Sequence, residues 1–177
     1  FFVKGIVHNS VNAVRDTVFK ICALIEAEGD YISEFRNNYL HDIEDFKRKI
    51  ETAQYGRYLR GLVLISSMLN SQQDSRQFNN LLNCYHIEHI LPKKWNHYDG
   101  WTNETWESSI NKLGNLVPLE EKLNICAKNE FFSKKKGSYK NSKVQDVQDL
   151  VFVENWCPIN LERRHVECMQ RLVSFFK

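Results

Sequence analysis

Apolar residues in the first 70 positions of this 177-residue chain recur at intervals of three and four. That spacing places them on one face of an α-helix, because a helix completes a turn every 3.6 residues. Helices are therefore predicted over 11–28, 31–50 and 55–69, and together they would form an N-terminal bundle. The positions expected to face its core are Val11, Val14, Val18, Ile21, Cys22, Ile25, Phe35, Tyr39, Ile43, Phe46, Ile50, Tyr58, Leu59, Leu62, Val63, Leu64 and Met68.

A polar stretch at 71–80, SQQDSRQFNN, interrupts this pattern and predicts a loop or a frayed helix end. Apolar runs at 84–91 and 113–119 follow it, and each is short enough for a single strand. The segment that joins them, 92–106, is rich in Trp and Asn, and we expect it to be irregular. The expected subdomains are 1–75 and 76–177.

The last segment, 161–176, again spaces its apolar residues as a helix does, which predicts an amphipathic closing helix. Its inward stripe is expected to contain Leu161, Cys168, Leu172, Val173 and Phe176. Arg163, Arg164 and Arg171 are expected to remain exposed. The fold class is therefore predicted to be mainly α, with a small pair of strands between two helical parts.

Composition limits the chain's class. A hydrophobic content of 42% excludes wholesale disorder, and 24 Lys and Arg against 22 Asp and Glu do not indicate a polyanionic partner by net charge alone. The five cysteines form no CxxC pair, so reduced thiols are expected. No signal peptide and no apolar run of about 20 residues is present, which favours a cytoplasmic protein with no membrane partner. The opening residue, Phe1, suggests a fragment of a larger protein.

The segment YHIEHILP at 85–92 places two histidines and a glutamate within four residues. On a strand, His86 and Glu88 would lie on one face and His89 on the other. A partly buried carboxylate or imidazole needs a partner, so a strand without a use for them would more easily hold Val or Thr. These three residues are therefore predicted to belong to a functional site.

Hydrolysis of a phosphodiester bond is the chemistry that fits this group. Histidine can take a proton from water at neutral pH, because its ordinary pKa is about 6.5. A carboxylate such as Glu88 and an amide oxygen such as that of Asn124 are ligands that Mg²⁺ accepts while it retains water. A structural zinc held by the same His and Glu residues is an alternative, although no cysteine lies at ligand spacing.

A series of motifs resembles a known family. EHILP is followed by LGNLVPL, then by LN at Asn124, then by FFSKK at 131–135, and the terminal stretch adds Trp156, Ile159 and Arg163. This order resembles the C-terminal nuclease domain of the GmrSD-type, modification-dependent restriction endonucleases, which belongs to the HNH or His-Me finger group. The resemblance implies a ββα-metal core.

The resemblance also implies roles for individual residues. His89 would be the general base, and Asn115 would hold the catalytic loop and orient that base. Glu88, where the group usually has Asp, and Asn124 would bind one Mg²⁺ or Mn²⁺ ion. His86 would either join them as a ligand or fix the Glu88 rotamer. Phe132 and Lys135 would begin the helix of the finger.

Cationic and aromatic residues outside this motif suggest nucleic-acid contacts. The lysine cluster is expected to contact the phosphate backbone, although a merely solvated helix face is the alternative. Its members are Lys128, Lys134, Lys135, Lys136 and Lys140. Trp95, Trp101 and Trp106 would stack on bases or, as we favour, pack into a small core. His165 is expected on a solvated face, with nucleic-acid contact as the alternative.

The function expected from these residues and from the resemblance is metal-dependent cleavage of DNA. By resemblance, an N-terminal nucleotide-binding domain of the same polypeptide would sense modified DNA and restrain the nuclease, in defence against phage. Cutting both strands would require a homodimer or two successive events. The alternatives are a catalytically inactive DNA-binding or regulatory module with the same fold, and a nuclease directed at RNA.

Overall fold

A computed structural model describes residues 10–51, 57–81 and 84–176, and in this part the chain is mainly helical, as predicted. The elements are α1 (Val11–Glu26), α2 (Tyr31–Glu51), α3 (Arg57–Met68), α4 (Ser75–Leu81), β1 (Tyr85–His89), α5 (Asn103–Ser109), a 3₁₀ turn (Leu113–Asn115), β2 (Leu116–Glu120), α6 (Glu121–Ala127), α7 (Phe132–Tyr139), α8 (Gln145–Leu150) and α9 (Pro158–Phe175). The predicted helix start at 55 and the side chains of Tyr39 and Tyr58 lie outside the described residues.

The chain divides into two compact units. One comprises Phe1–Thr52 and Val173–Lys177, and the other comprises Ala53–Leu172. The divisions therefore fall between residues 52 and 53 and between residues 172 and 173, whereas the sequence pattern changes near residue 75. The first division falls before α3 because α3 packs against β2 and so belongs with the strands.

The first unit contains α1, which begins where the Ser10 hydroxyl accepts a hydrogen bond from the Ala13 amide at 3.3 Å. The predicted buried face of α1 is wrong. All of α1 is described, and no side chain in it is buried; Val11 and Ile25 are more than half exposed. Helical spacing shows which residues share a face but not whether another element covers that face.

The inner face of α2 follows the prediction over its second half. Ile43, Phe46 and Ile50 are buried, and the Phe46 ring meets the Phe176 ring edge-on at 4.9 Å. Phe35, in the first half, remains exposed. The predicted stripe is therefore confirmed only toward the C-terminal end of α2.

The second unit is built on the predicted pair of strands. β1 and β2 are antiparallel, with Tyr85 opposite Glu120 and His89 opposite Leu116. β2 is buried from Leu116 to Leu119, because α3 covers it and α6 packs against both strands. The predicted second strand, 113–119, begins instead with the 3₁₀ turn at Leu113–Asn115, which leads into β2.

Four short helices, α4, α5, α6 and α8, were not predicted from the apolar pattern. Asp74 Oδ1 accepts hydrogen bonds from the Arg76 and Gln77 amides, which begins α4, and buried Phe78 attaches that helix to the core. A capping box between Thr102 and Thr105 begins α5. Helices of seven residues hold too few turns for the apolar period to reveal them.

The core of the second unit is rich in aromatic side chains. Trp101 donates to the Trp156 carbonyl and Trp106 to the Pro92 carbonyl, both at 2.8 Å. These bonds fasten the irregular connection to the rest of the unit, which supports the packing interpretation of both indoles. The buried cluster consists of Phe78, Ile90, Leu91, Tyr98, Trp101, Val117, Leu119, Ala127, Phe132, Tyr139, Val144, Val147, Leu150, Trp156 and Leu161.

The closing helix α9 follows the predicted apolar stripe through Leu161, Cys168 and Leu172, which are buried. The prediction that Arg164 stays exposed is wrong, because its side chain is 9% exposed and pairs with buried Asp146 at 3.4 Å. Arg163 is exposed, as predicted. None of the helices in the described part of the chain is long and apolar enough to cross a membrane.

Candidate functional site

The end of β1 places two titratable side chains under cover. Glu88 is 5% exposed and His89 is 4% exposed, although both are polar. His86, two residues before Glu88, is exposed. A buried carboxylate and a buried imidazole on consecutive residues require specific partners, and the surrounding elements supply them.

Three donors surround the Glu88 carboxylate. Its Oε1 accepts hydrogen bonds from Lys135 Nζ at 2.7 Å and from the Tyr139 hydroxyl at 2.9 Å, one helical turn further along α7. Its Oε2 accepts from Asn124 Nδ2 at 3.0 Å, on α6. The two helices that follow β2 thus hold this carboxylate in a fixed orientation.

Burial and the Glu88 charge act on both donors from α7. Burial lowers the pKa of Lys135, and the adjacent carboxylate opposes that effect. Burial raises the pKa of Tyr139 well above its ordinary value, and the Glu88 charge raises it further. The Glu88 charge thus opposes the effect of burial on the pKa of Lys135 and adds to the effect of burial on the pKa of Tyr139.

The His89 imidazole lies beside Asn111, with Nε2 at 3.4 Å from Oδ1. Burial lowers the pKa of His89 to about 4, the positive charges of Lys93 and Lys135 lower it as well, and the Asn111 hydrogen bond opposes them. The imidazole is therefore neutral at pH 7, with one ring nitrogen unprotonated. The His89 carbonyl also accepts from Lys135 Nζ at 2.6 Å.

Asn115 is fully buried and holds the backbone that follows His89. Its Nδ2 donates to the carbonyls of Leu91 at 3.1 Å and Ile110 at 2.8 Å, and its Oδ1 accepts from the Leu91 amide at 2.7 Å. Its own carbonyl accepts from the Ile90 amide at 2.9 Å. Asn115 therefore fixes the peptide groups of Ile90 and Leu91, the two residues that directly follow His89.

His86 and Glu88 share a face of β1, as predicted. His86 Nε2 lies 3.8 Å from Glu121 Oε1, and Glu88 contacts Asn124, one turn further along the same helix. Each of these two side chains of β1 therefore has its own partner on α6: Glu121 for His86 and Asn124 for Glu88.

The predicted divalent ion would need oxygen ligands from Glu88 and Asn124. Among the described residues, no group of three or more His, Cys, Asp or Glu side chains could hold a metal. Oε1 of Glu88 is already bound by Lys135 and Tyr139, and Oε2 accepts from Asn124 Nδ2. An ion would replace that last hydrogen bond and would require the Asn124 amide to turn its oxygen toward Glu88. The two residues would then offer two hard oxygen donors, which fit an ion such as Mg²⁺ that keeps most of its water ligands.

The lysine cluster separates into two environments. Lys128, Lys134 and Lys140 are exposed, and Lys136 is half-buried with its ammonium donating to the Glu154 carbonyl at 3.3 Å. Lys135 is 1% exposed and paired with Glu88, so in this structure it faces the core instead of solvent. Phe132 and Lys135 lie on α7, whereas the helix that directly follows the strands is α6, which carries Asn124.

Several residues around the site were not predicted from the sequence. Asn111 and Lys93 act on the His89 imidazole, and Trp156 donates its indole N–H to Asn115 Oδ1 at 3.2 Å. Lys93 is exposed and lies four residues after His89. This short spacing between a lysine and the predicted base is the signal in the sequence that could have indicated a substrate contact.

Comparison with known protein families assigns this domain to a class, the restriction endonucleases. The chain belongs to the family of GmrSD restriction endonucleases, C-terminal domain, whose model matches residues 40–171. The match runs from the middle of α2 through most of α9. It therefore includes both strands, Glu88 and the three residues that bind the Glu88 carboxylate, Asn124, Lys135 and Tyr139. This confirms the resemblance identified in the sequence. A comparison with curated proteins finds no match.

Proposed function

We propose that this chain is a metal-dependent DNA endonuclease domain in which His89 is the general base. The observation that carries the proposal is the buried Glu88–His89 pair at the end of β1, with Asn115 holding the backbone after it and Asn124 in contact with Glu88. Membership of a restriction endonuclease family supports the same reaction class.

The proton transfer is assigned to the His89 imidazole. It is neutral at pH 7, because its pKa lies at about 4, so it can accept a proton from the attacking water. A bound phosphate would bring negative charge close to His89 and offset the cationic influence of Lys93. The pKa of His89 would then rise toward neutrality, which would strengthen it as a base.

The carboxylate and the amide beside His89 are assigned to the ion. Glu88 Oε2 and the Asn124 carbonyl oxygen would hold one Mg²⁺ or Mn²⁺ ion, with water as the remaining ligands. When bound, such an ion would supply positive charge for the phosphorane-like transition state and the leaving 3′ oxygen. Lys135 and Tyr139 hold the Glu88 carboxylate in one orientation.

The substrate is assigned to DNA, held by its phosphates. Lys93 lies close to His89, and exposed Lys128, Lys134 and Lys140 lie on or beside α6 and α7, which also bind Glu88. Contacts of this kind are independent of base sequence. In the cell, this domain would serve modification-dependent restriction of phage DNA in the cytoplasm, under control of an N-terminal nucleotide-binding sensor domain. Cleavage of both strands would require a homodimer or two successive nicks.

A plasmid-nicking assay tests the proposal. We expect the chain to convert supercoiled DNA to the nicked form with Mg²⁺ or Mn²⁺ and not with EDTA. His89→Ala should lower the rate at least about 10²-fold, the usual contribution of a general base. The matched control is His97→Asn, because His97 is exposed and asparagine tolerates its positive φ of 48°.

The outcomes of this assay separate the alternatives. Equal nicking by wild type and a folded His89→Ala would contradict the assignment of the base. DNA binding without nicking would favour an inactive docking module, and faster cleavage of single-stranded RNA in parallel reactions would change the substrate class. Stoichiometric, tightly held zinc in the purified chain would contradict the proposed Mg²⁺ site.

A further inference from the structure

One guanidinium group, that of Arg164 on α9, binds the 3₁₀ turn on the far side of the site. Its Nη1 donates to three backbone carbonyl groups, those of Gly114 at 2.7 Å, Leu116 at 3.1 Å and Leu113 at 3.5 Å. Its Nη2 lies 3.4 Å from Asp146 Oδ2, and Asp146 is itself buried. The planar guanidinium thus spans the turn with one nitrogen and Asp146 with the other, which the single nitrogen of the shorter lysine side chain cannot reproduce.

A second contact from α9 fixes the same turn. The Gly114 amide donates to His165 Nδ1 at 3.3 Å, so both the amide and the carbonyl of this residue are bound by adjacent residues of one helix. The approach is close: a Cβ added at Gly114 would lie 2.5 Å from the Leu161 carbonyl oxygen. The prediction that His165 lies on a solvated face is therefore wrong, because its side chain is buried against the turn.

The bound turn contains Asn115, and Asn115 holds the active-site backbone. Its side chain forms two hydrogen bonds with Leu91, and its carbonyl forms one with Ile90. Ile90 and Leu91 directly follow His89. A continuous series of hydrogen bonds therefore runs from Arg164 through the turn to the peptide groups next to the proposed base.

We propose that Arg164 is a positioning residue, which holds the turn so that Asn115 fixes the backbone carrying His89. The inference rests on the proposed function, since it treats His89 as the general base. The described hydrogen bonds of Arg164 go to the turn and to Asp146, and none goes to His89. Its positive charge also acts on Tyr139, so the test variant must keep that charge while it changes the geometry at the turn. Displacement of a base by about 1 Å lowers a rate by as much as about 10²-fold.

Arg171 offers a matched control for Arg164. It also pairs with Asp146, at 2.8 Å, but its other described hydrogen bond is to the Ser66 carbonyl and not to the turn. Arg164→Lys and Arg171→Lys each remove one guanidinium from Asp146 and keep the positive charge. Only Arg164→Lys also removes a guanidinium from the 3₁₀ turn.

Steady-state nicking with Mg²⁺ is the first measurement. We expect Arg164→Lys to lower kcat about 10²-fold while KM stays within about twofold, because DNA binding is not altered. Arg171→Lys should retain kcat within about threefold. Equal kcat for the two variants, each shown to be folded at the assay temperature, would overturn the inference.

Amide hydrogen exchange at Leu91, without metal or DNA, is the second measurement. Exchange should accelerate in Arg164→Lys and not in Arg171→Lys; unchanged exchange in Arg164→Lys would overturn the inference. Because this measurement needs no catalysis, a wild-type chain that does not nick DNA would count against the proposed function separately. If Arg164→Lys does not fold, Arg164→Gln combined with Asp146→Asn is compared with Asp146→Asn alone, with the same expected difference at Leu91.

Discussion

At the scale of single residues, Glu88 and Lys135 form a buried ion pair. The net contribution of this pair to stability is smaller than the loss of stability when one partner is removed. A buried pair contributes little net stability, because both ions lose water on burial. Removal of one partner is costly, because the other charge remains buried without compensation. Lys135, 1% exposed and 2.7 Å from Glu88, is such a partner.

Lys135→Met should therefore lower the free energy of unfolding by about 3 kcal/mol. Lys134→Met, one residue away, removes an exposed pair with Glu130 and should change it by less than about 0.5 kcal/mol. Urea unfolding followed by circular dichroism measures both. Equal stability of the two variants would contradict the burial of Lys135.

His89 predicts a pH dependence of stability. The unfolded histidine has a pKa of 6.5 and the folded one about 4, so between these values the unfolded chain binds a proton that the folded chain does not. Stability is therefore lost as pH falls from 6.5 toward 4. Between pH 7.5 and 4.5, wild type should lose about 2 kcal/mol more than His89→Gln, measured by urea unfolding in EDTA. The same loss in both proteins would contradict the low pKa of His89.

At the scale of secondary-structure elements, the packing of α9 against the 3₁₀ turn sets a limit on residue 114. A Cβ there would lie 2.5 Å from the Leu161 carbonyl oxygen and 2.7 Å from the His165 backbone nitrogen, and backbone atoms cannot rotate away. Gly114 is thus required by close approach of two elements. At Gly137, on α7, an added Cβ meets nothing within 4 Å.

Gly114→Ala should destabilise the chain by about 3 kcal/mol, whereas Gly137→Ala should stabilise it by about 0.5 kcal/mol through helix propensity. Thermal unfolding of both variants measures the difference. A Gly114→Ala midpoint at or above that of wild type would mean that α9 does not approach the turn this closely.

At the scale of the whole molecule, a net charge of +2 gives little general attraction for DNA, so binding must depend on the local lysine surface. Lys128, Lys134 and Lys140 form this surface once buried Lys135 and half-buried Lys136 are excluded. Each phosphate that a lysine neutralises adds about 0.9 to the slope of log affinity against log salt.

Replacement of these three lysines with Gln should weaken DNA binding and lower the salt slope by about 1 for each phosphate that is no longer neutralised. The control replaces Lys20, Lys47 and Lys49 of the first unit with Gln, which changes the net charge equally. Fluorescence anisotropy with a labelled duplex measures both series. Equal salt slopes for the two triple variants would exclude a localised phosphate surface on this side of the second unit.

Local sequence determined the helices with several apolar turns and both strands, because these depend on periodicity within a short window. It also predicted the candidate site, since Glu88, His89, Asn115 and Asn124 were selected from motif order. α4, α5, α6 and α8 were missed because six or seven residues are too few to display a period.

Only the tertiary structure decided which polar side chains are buried and with whom. Lys135 and Glu88 are 47 residues apart in sequence, and Arg164 and Gly114 are 50 apart. The sequence analysis placed Lys135 among the lysines that contact phosphate and Arg164 on an exposed face, because the outward face of a helix is known only when its packing partners are known. The same reason explains α1, whose predicted apolar face is only partly covered in the described part of the chain, where Val14, Val18 and Ile21 are half-buried. Periodicity is a local property of the chain, whereas burial depends on residues far away in sequence.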